Sequence, residues 1–513
     1  MTPADDPGRP GGPLETAHRG ERIGRMAGDA SFVMASEFAS IGLRYVGSIL
    51  TGRLLGLAWF GSVTLGLTVA RLLGTVSVLG TSPGALPFLA RARQAGRPQE
   101  VLAVVRATWS VVAAFALLVS ALCYALAPWL SNVVFDQPEL TGILRPLCLL
   151  TFFSALTTTT TGLIQGLAGV RLQALIDRVL LTVVTVFVLG LAWIFDWGVT
   201  GVIGASIAGP VIGLAVAALC VGRLVPGALG STASPGPGLA WKLTRESWPL
   251  MGMSLSAFVL TWMDVLLMGV FCSSEEVGLY GACARLAPAV VLVQNATGPV
   301  FLAQLSRHFV AGDWNAIRHL YRTTGLWCLW SGAVAASILL LWGRELLALF
   351  GPEFMAGTGV LAILTLGRAG SAFFGMCGRM LSITGQARLA LRNMLLMIGS
   401  NAVLDLLWIP RWGALGAAAA TCLCVVGINA LQSLEVWLLY RLHPFTRRSV
   451  LGLGGPLALA GLACLWRAGP GGPWGWLLPL SLFLVASAAL YLKAGAGDVD
   501  RAFLRGLARR LRR

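Results

Sequence analysis

The chain has 513 residues, of which 56% are hydrophobic and only 12% charged, and its 38 Lys and Arg against 22 Asp and Glu leave a formal net charge of +16. A soluble globular protein carries about 25% charged residues, so a soluble enzyme or regulator is excluded and an integral membrane protein is indicated. No soluble domain displays the positive charge to a nucleic acid, so we read the excess as attraction to anionic membrane lipid.

Residues 1–30 combine Pro, Gly and charge (DDPGRPGGP, then HRGERIGR) without an apolar run. This predicts a disordered cytoplasmic tail and not a cleaved signal peptide. From Ser31 onward one apolar run follows another. Those from Ala107 to Phe135, Pro146 to Val170, Trp197 to Gly222 and Trp412 to Leu434 each exceed the roughly 20 residues that cross a bilayer core. No stretch alternates as a barrel strand would. The expectation is an all-α polytopic protein of about fourteen helices. Helices one to six (31–221) form an N-lobe, a cytoplasmic linker spans 222–247, and helices seven to twelve (248–440) form a C-lobe. A further pair follows at 449–492, and 493–513 is a basic cytoplasmic tail. In that tail Val499, Phe503, Leu507 and Leu511 recur every four residues among arginines, the pattern of an amphipathic helix on the inner leaflet.

The two lobes are read as copies of one unit. TSPGALPFLARARQAGRPQEVLAVVRAT from Thr81 aligns without a gap on TGPVFLAQLSRHFVAGDWNAIRHLYRTT from Thr297, and nine of the 28 pairs are identical. They include Pro83 with Pro299, Arg91 with Arg307, Gly96 with Gly312 and Arg106 with Arg322. DWGVTGVIGASIAG from Asp196 and RWGALGAAAATCL from Arg411 form a weaker second echo. Most Lys and Arg fall on one set of short loops, which positive-inside sorting places in the cytoplasm together with both termini. The opposite loops are short and hold Asp136, Glu139, Asp196, Glu275, Glu276, Glu345 and Glu353.

Signals of catalysis are sparse. The chain has no GxxxxGK[ST] loop, its four histidines (His18, His308, His319, His443) have no metal-ligand spacing, and its ten cysteines are scattered through apolar segments. We therefore expect no catalytic residues, no metal and no cofactor. Charge inside the bilayer remains, and it is costly enough to imply function. In helix one Glu37, Ser40, Arg44, Ser48 and Thr51 share a face. Helix seven carries Ser247, Ser254, Thr261 and Asp264; helix two Arg71; helix eight Arg285; helix ten Arg368 and Arg379. Arg368 and Arg379 lie about 16 Å apart on one face, and Glu37 and Arg44 about 10 Å apart on another. Competing readings pair Arg44 with Glu37 alone and let Arg379 snorkel to the inner interface. Asp405 and Glu435 lie near predicted helix ends and read as structural or interfacial. The threonines from Thr157 to Thr161 read as a packing device bonded to their own helix.

RLLGLAWFG from Arg53 resembles the R-x-L-G-x-x-x-F-G signature that follows the first helix of bacterial polysaccharide-repeat flippases. Asp264 in LTWMDVLLMG, EEVGLYGACARL from Glu275 and FLAQLSRHFVAGD from Phe301 resemble parts of their second half. The similarity runs from Ser31 to about Leu442, and that family belongs to the multidrug, oligosaccharidyl-lipid and polysaccharide exporter superfamily. The resemblance implies two six-helix lobes in a V around a cavity that faces each side in turn. It also implies outward movement of undecaprenyl-pyrophosphate-linked oligosaccharide repeats across the bacterial inner membrane. Lipid-linked oligosaccharide is then the substrate, with membrane lipids and other polysaccharide-assembly proteins as partners. The drug-exporter branch often has an aspartate in helix one; this chain has Glu37 there.

Guanidinium groups stay charged and bind phosphate oxygens through paired donors. Arg44, Arg71, Arg285, Arg368 and Arg379 are thus the candidate pyrophosphate ligands, on two charged levels of one cleft, and Glu37 and Asp264 the acidic coupling groups. A lipid II flippase or a multidrug exporter would share the fold. A membrane polysaccharide polymerase or ligase is the alternative of another class.

Overall fold

A computed structural model of the chain describes residues 13–226, 228, 237–445, 454–462 and 477–491. The elements are α1 (Pro13–Ser77), α2 (Thr81–Gln94), α3 (Pro98–Trp129), α4 (Leu140–Ala168) and α5 (Val170–Ala174). A π-helical segment, Leu175–Leu180, joins α5 to α6 (Leu181–Ile194), and α7 (Gly198–Leu224), α8 (Pro237–Phe271) and α9 (Ser274–Leu286) follow. Then come α10 (Leu292–Val310), α11 (Trp314–Ala348), α12 (Thr358–Phe374), α13 (Cys377–Ile383), α14 (Ala387–Tyr440), α15 (454–462) and α16 (Leu477–Leu490). The protein is an all-α, multi-pass membrane protein. Among the described residues ten segments are long and apolar enough to span a membrane, and two of them, of 60 and 53 residues, are each long enough to cross twice.

The first of these long segments doubles back at a glycine. Along its first arm Glu37 meets Arg178 and Gly47 meets Val186 and Leu189, so that arm rises alongside α6. Along its second arm Gly66 meets Ile143 and Leu147, and Gly74 meets Ser154, so that arm descends alongside α4. The reversal is at Gly56, with φ 70° and ψ 180°, a backbone region open essentially to glycine alone. The Leu57 N–H freed by the break donates to Glu353 Oε2 at 3.0 Å. In α14 the break is Gly413, at φ 53° and ψ −131°, three residues after Pro410.

Two expectations change at the ends. Residues 13–30 are helical and continuous with α1, where a disordered tail was expected. Helix nucleation is the costly step, and a membrane-anchored turn supplies it, so the Ala-, Glu- and Arg-containing stretch before Ser31 propagates the helix. Likewise α8 starts at Pro237, inside the expected linker, because its first turns find a partner: Leu243 is fully buried among α2, α3 and α7 residues. The tail at 493–513, residues 227 and 229–236 of the linker, and residues 449–453, 463–476 and 492 of the final pair lie outside the described residues.

The sequence repeat is a structural repeat where it can be followed. Gly96 and Gly312 have φ of 65° and 69°. Before them, the Ala95 N–H reaches Arg91 and Arg93 carbonyls, and the Ala311 N–H reaches Arg307 and Phe309 carbonyls. Ala85, Leu89, Val101 and Val105 sit in one apolar core, and their counterparts Phe301, Leu305, Ile317 and Tyr321 in another. All eight are buried. The same heptad-like facing of a short helix and the next long one thus builds both hairpins. The threonine run is a packing device: Thr157 Oγ1 donates to Phe153 O at 2.7 Å and lies 2.8 Å from Pro210 O on α7.

Candidate functional site

A cavity of about 980 Å³ lies between the two halves, lined by α1, α4, the π segment, α6 and α7 on one side and by α8 to α10, α12 and α14 on the other. It is closed at the end that carries the acidic turns. There Phe60 is fully buried, edge-on to Phe350 and Phe354 at 6.1 and 5.3 Å, each such pair being worth about 0.5–1.5 kcal/mol beyond its buried area. Arg53 Nε donates to Leu349 O at 2.8 Å, and Ser274 Oγ bonds Gln137 at 2.9 Å and Ser62 at 3.1 Å. A Cβ on Gly61 would stand 1.8 Å from Ser274 O, so the helices touch backbone to backbone. Arg53, Gly56, Phe60 and Gly61, the core of the RLLGLAWFG motif, therefore build the closure. At the basic end the cavity reaches Val33, Asn295 and Pro299.

Six of the seven candidate residues meet in this cavity: Glu37, Arg44, Arg71, Asp264, Arg285 and Arg368. All four arginines line this one cavity: Arg285 reaches toward the closed end, at Phe60, and Arg71 lies by Trp262. Arg71 and Arg285 have no carboxylate within ion-pair distance among the described residues. Arg285 Nη2 donates to Thr64 Oγ1 at 3.1 Å and its guanidinium lies 4.5 Å from the Phe60 ring; Arg71 lies 5.6 Å from the Trp262 ring. Rings hold a cation by their faces and leave the N–H edge free for another acceptor. Arg71 stands within electrostatic reach of Arg44, and Arg285 of Arg71. Such a like-charged group is stable in a low-dielectric site only with an anion to share.

Arg379 is the exception. Its Nη1 donates to Gln294 O at 2.8 Å and its Nη2 lies 3.5 Å from Asn295 Oδ1, outside the cavity lining. Gly298 makes the room for it, since a Cβ there would fall 1.3 Å from Arg379 Nη1. The helical spacing from Arg368 is as expected, but α12 ends at Phe374, and Gly375, at φ 71°, breaks the helix before α13. The shared face is lost at that break.

Several polar residues enter the site unannounced. Arg178, in the π segment, pairs with Glu37, which also holds Arg44 at 3.3 Å, and Asp177 lies beside them within reach of Arg44. The threefold and fourfold spacings of an α-helix do not apply through a π turn. Asp264 is buried and accepts from Tyr280 Oη and, at 2.6 Å, from Thr421 Oγ1. Asp405, expected near a helix end, is fully buried and within electrostatic reach of Asp264. Asn401 Nδ2 donates to its Oδ2 at 3.1 Å, while Oδ1 is buried without a partner. Glu435 is a structural group, held by Arg392 and by Asn393 Nδ2 at 2.5 Å.

Comparison with known proteins gives a family and a fold. The family model described as polysaccharide biosynthesis protein matches residues 27–302, more than half of the chain. The probable low-salt glycan biosynthesis flippase Agl15 of Haloferax volcanii is 26% identical over 171 residues, 33% of this chain and 36% of that protein. The probable flippase AglR of the same organism is 26% identical over 189 residues, 35% of this chain and 39% of that protein. The chain thus spans well under half the length of either relative. In fold, it is similar to the lipid II flippase MurJ in an inward closed conformation, with a TM-score of 0.71 at 12% identity over 89% of this chain and 97% of that one.

Proposed function

The chain belongs to the polysaccharide biosynthesis protein family, and from that premise we propose that it is a flippase carrying polyprenyl-diphosphate-linked oligosaccharides from the inner to the outer leaflet. The observation that carries this reading is the group of four arginines lining one inter-lobe cavity, of which Arg44 alone has an ion-paired carboxylate among the described residues. A diphosphate cannot enter hydrocarbon unaided, and Arg71 and Arg285 offer its oxygens guanidinium donors not taken by a carboxylate. Arg44 and Arg368 complete the group, the glycan fills the remaining cavity, and the polyprenyl tail stays in lipid.

The basic hairpins and both termini lie in the cytoplasm on this reading, so the cavity opens inward and the closed end faces outward. Residues 31–221 and 248–440 act as two lobes that rock about the cavity. The protein is a transporter and not an enzyme of the inner membrane, working beside the enzymes that build and polymerise the repeat. Asp264 and Asp405 are the coupling groups. Two carboxylates side by side in a buried place require a positive charge between them, and with Asn401 and Thr421 they suit a proton or a small monovalent cation. Each charge moved is worth about 2.3 kcal/mol per 100 mV of membrane potential. An exporter of cationic drugs is disfavoured by the arginines, which would repel such cargo.

The test is leaflet accessibility of a fluorescent polyprenyl-diphosphate oligosaccharide in proteoliposomes. The protein should accelerate its crossing, and Arg285→Ala should remove the acceleration. Equal rates with and without the protein would refute the assignment.

A further inference from the structure

Glu37 is held by two arginines from different helices, Arg44 on its own arm of α1 and Arg178 on the π segment, and all three line the cavity. Its side chain is still 35% exposed, toward the cavity mouth. Arg71 and Arg285, by contrast, have no ion-paired carboxylate among the described residues and are held by Trp262 and by Thr64 and Phe60. Of the five cavity arginines, Arg44 and Arg178 are therefore already paired with a carboxylate, and Arg71 and Arg285 are not. The neutralising group is a single carboxylate on the wall of the cavity, with Asp177 beside it as a second acid within reach of Arg44.

We propose that Glu37 is an internal counter-anion that stands in for the substrate's diphosphate, and that Arg178 is a fifth headgroup ligand uncovered when the diphosphate displaces it. The inference rests on the lipid-linked diphosphate reading above. Arg71 and Arg285 take the incoming anion first because no ion-paired carboxylate competes for them. The diphosphate oxygens then replace the Glu37 carboxylate on Arg44 and Arg178, an exchange of one charge-assisted pair for another. Closing of α1 against the π segment keeps the arginines paired when the site is empty, so a bare cationic cavity never has to cross the membrane midplane. Glu37 also competes for the arginines at the far side, and so assists release.

The experiment is calorimetric binding of inorganic pyrophosphate to the purified full-length protein at fixed salt, with melting temperatures taken in parallel. Glu37→Gln should tighten binding about tenfold, the scale of one charge-assisted hydrogen bond, and should slow turnover in proteoliposomes. The gain should vanish in the double variant Glu37→Gln, Arg178→Gln. Arg285→Ala should weaken binding at least about tenfold on the same scale. If Arg285→Ala weakens binding but Glu37→Gln does not tighten it, or tightens it equally without Arg178, the counter-anion idea is overturned and the diphosphate reading stands. If neither the wild type nor Glu37→Gln binds pyrophosphate, both are overturned. Tighter binding cannot arise from misfolding, so the expected result does not depend on the variant's stability.

Discussion

Arginines in one membrane protein do different work according to what their donors meet. Arg285 and Arg71 are presented on aromatic faces with no ion-paired carboxylate among the described residues, so replacing either by Ala should abolish transport without lowering the amount of protein in the membrane. Lysine at the same positions should restore part of the rate, because a point charge lacks the paired donors. Arg379 is bound to the Gln294 carbonyl instead. Its replacement by Ala should lower the melting temperature more than the transport rate, the reverse of Arg285→Ala, as thermal unfolding and uptake measured on one preparation would reveal. At the carboxyl pair, Asp405→Asn removes one of two adjacent ionisable groups. It should leave pyrophosphate binding intact while abolishing the dependence of transport on the ion or proton gradient, read by imposing each gradient in turn.

Among the elements, the broken helix α1 carries the most consequence. Gly56 occupies a conformation that costs other residues about 1–3 kcal/mol. Gly56→Ala should therefore lower stability by that amount, measurable as a drop in melting temperature. Gly61 acts differently, since its backbone is in ordinary helix and only the approach of Ser274 O forbids a side chain. Gly61→Ala should fold yet fail to close the acidic end. A cysteine at Ser62 should then react with a membrane-impermeant maleimide from the outer side, and in the parent chain it should be protected. Unchanged protection in the Gly61→Ala background would mean that α1 and α9 slide past one another instead of separating.

For the whole molecule, the repeat and the charge bias make one joint prediction. Arg91 and Arg307 are equivalent points in the two halves, and six intervening crossings must return the chain to the same face. Single cysteines at these two positions, in a chain whose ten native cysteines are replaced, should both be labelled by impermeant reagent in inside-out vesicles and neither in right-side-out ones. Labelling of one position from each side would show that the halves are inverted relative to each other. The likeness to MurJ over 89% of the chain at 12% identity shows how far such a frame persists while side chains change.

The membrane class, the helical fold and the hairpin repeat followed from sequence alone, as did six of the charges that line the cavity. Each depends on local chemistry: hydrocarbon admits only long apolar helices, and a buried charge is conspicuous in 56% hydrophobic sequence. Helical periodicity correctly put Glu37 and Arg44 on one face, and it gave no warning of Arg178, because a π turn shifts the register through which Arg178 reaches Glu37. It placed Arg379 with Arg368, and the break at Gly375 separated them. The pairing of Asp264 with Asp405 joins residues 141 positions apart on α8 and α14, a contact that no spacing encodes. Tertiary structure alone decided which charges share a cavity and which are spent on packing, because a helix face is set by its own sequence but its neighbour is set by the packing of all the others.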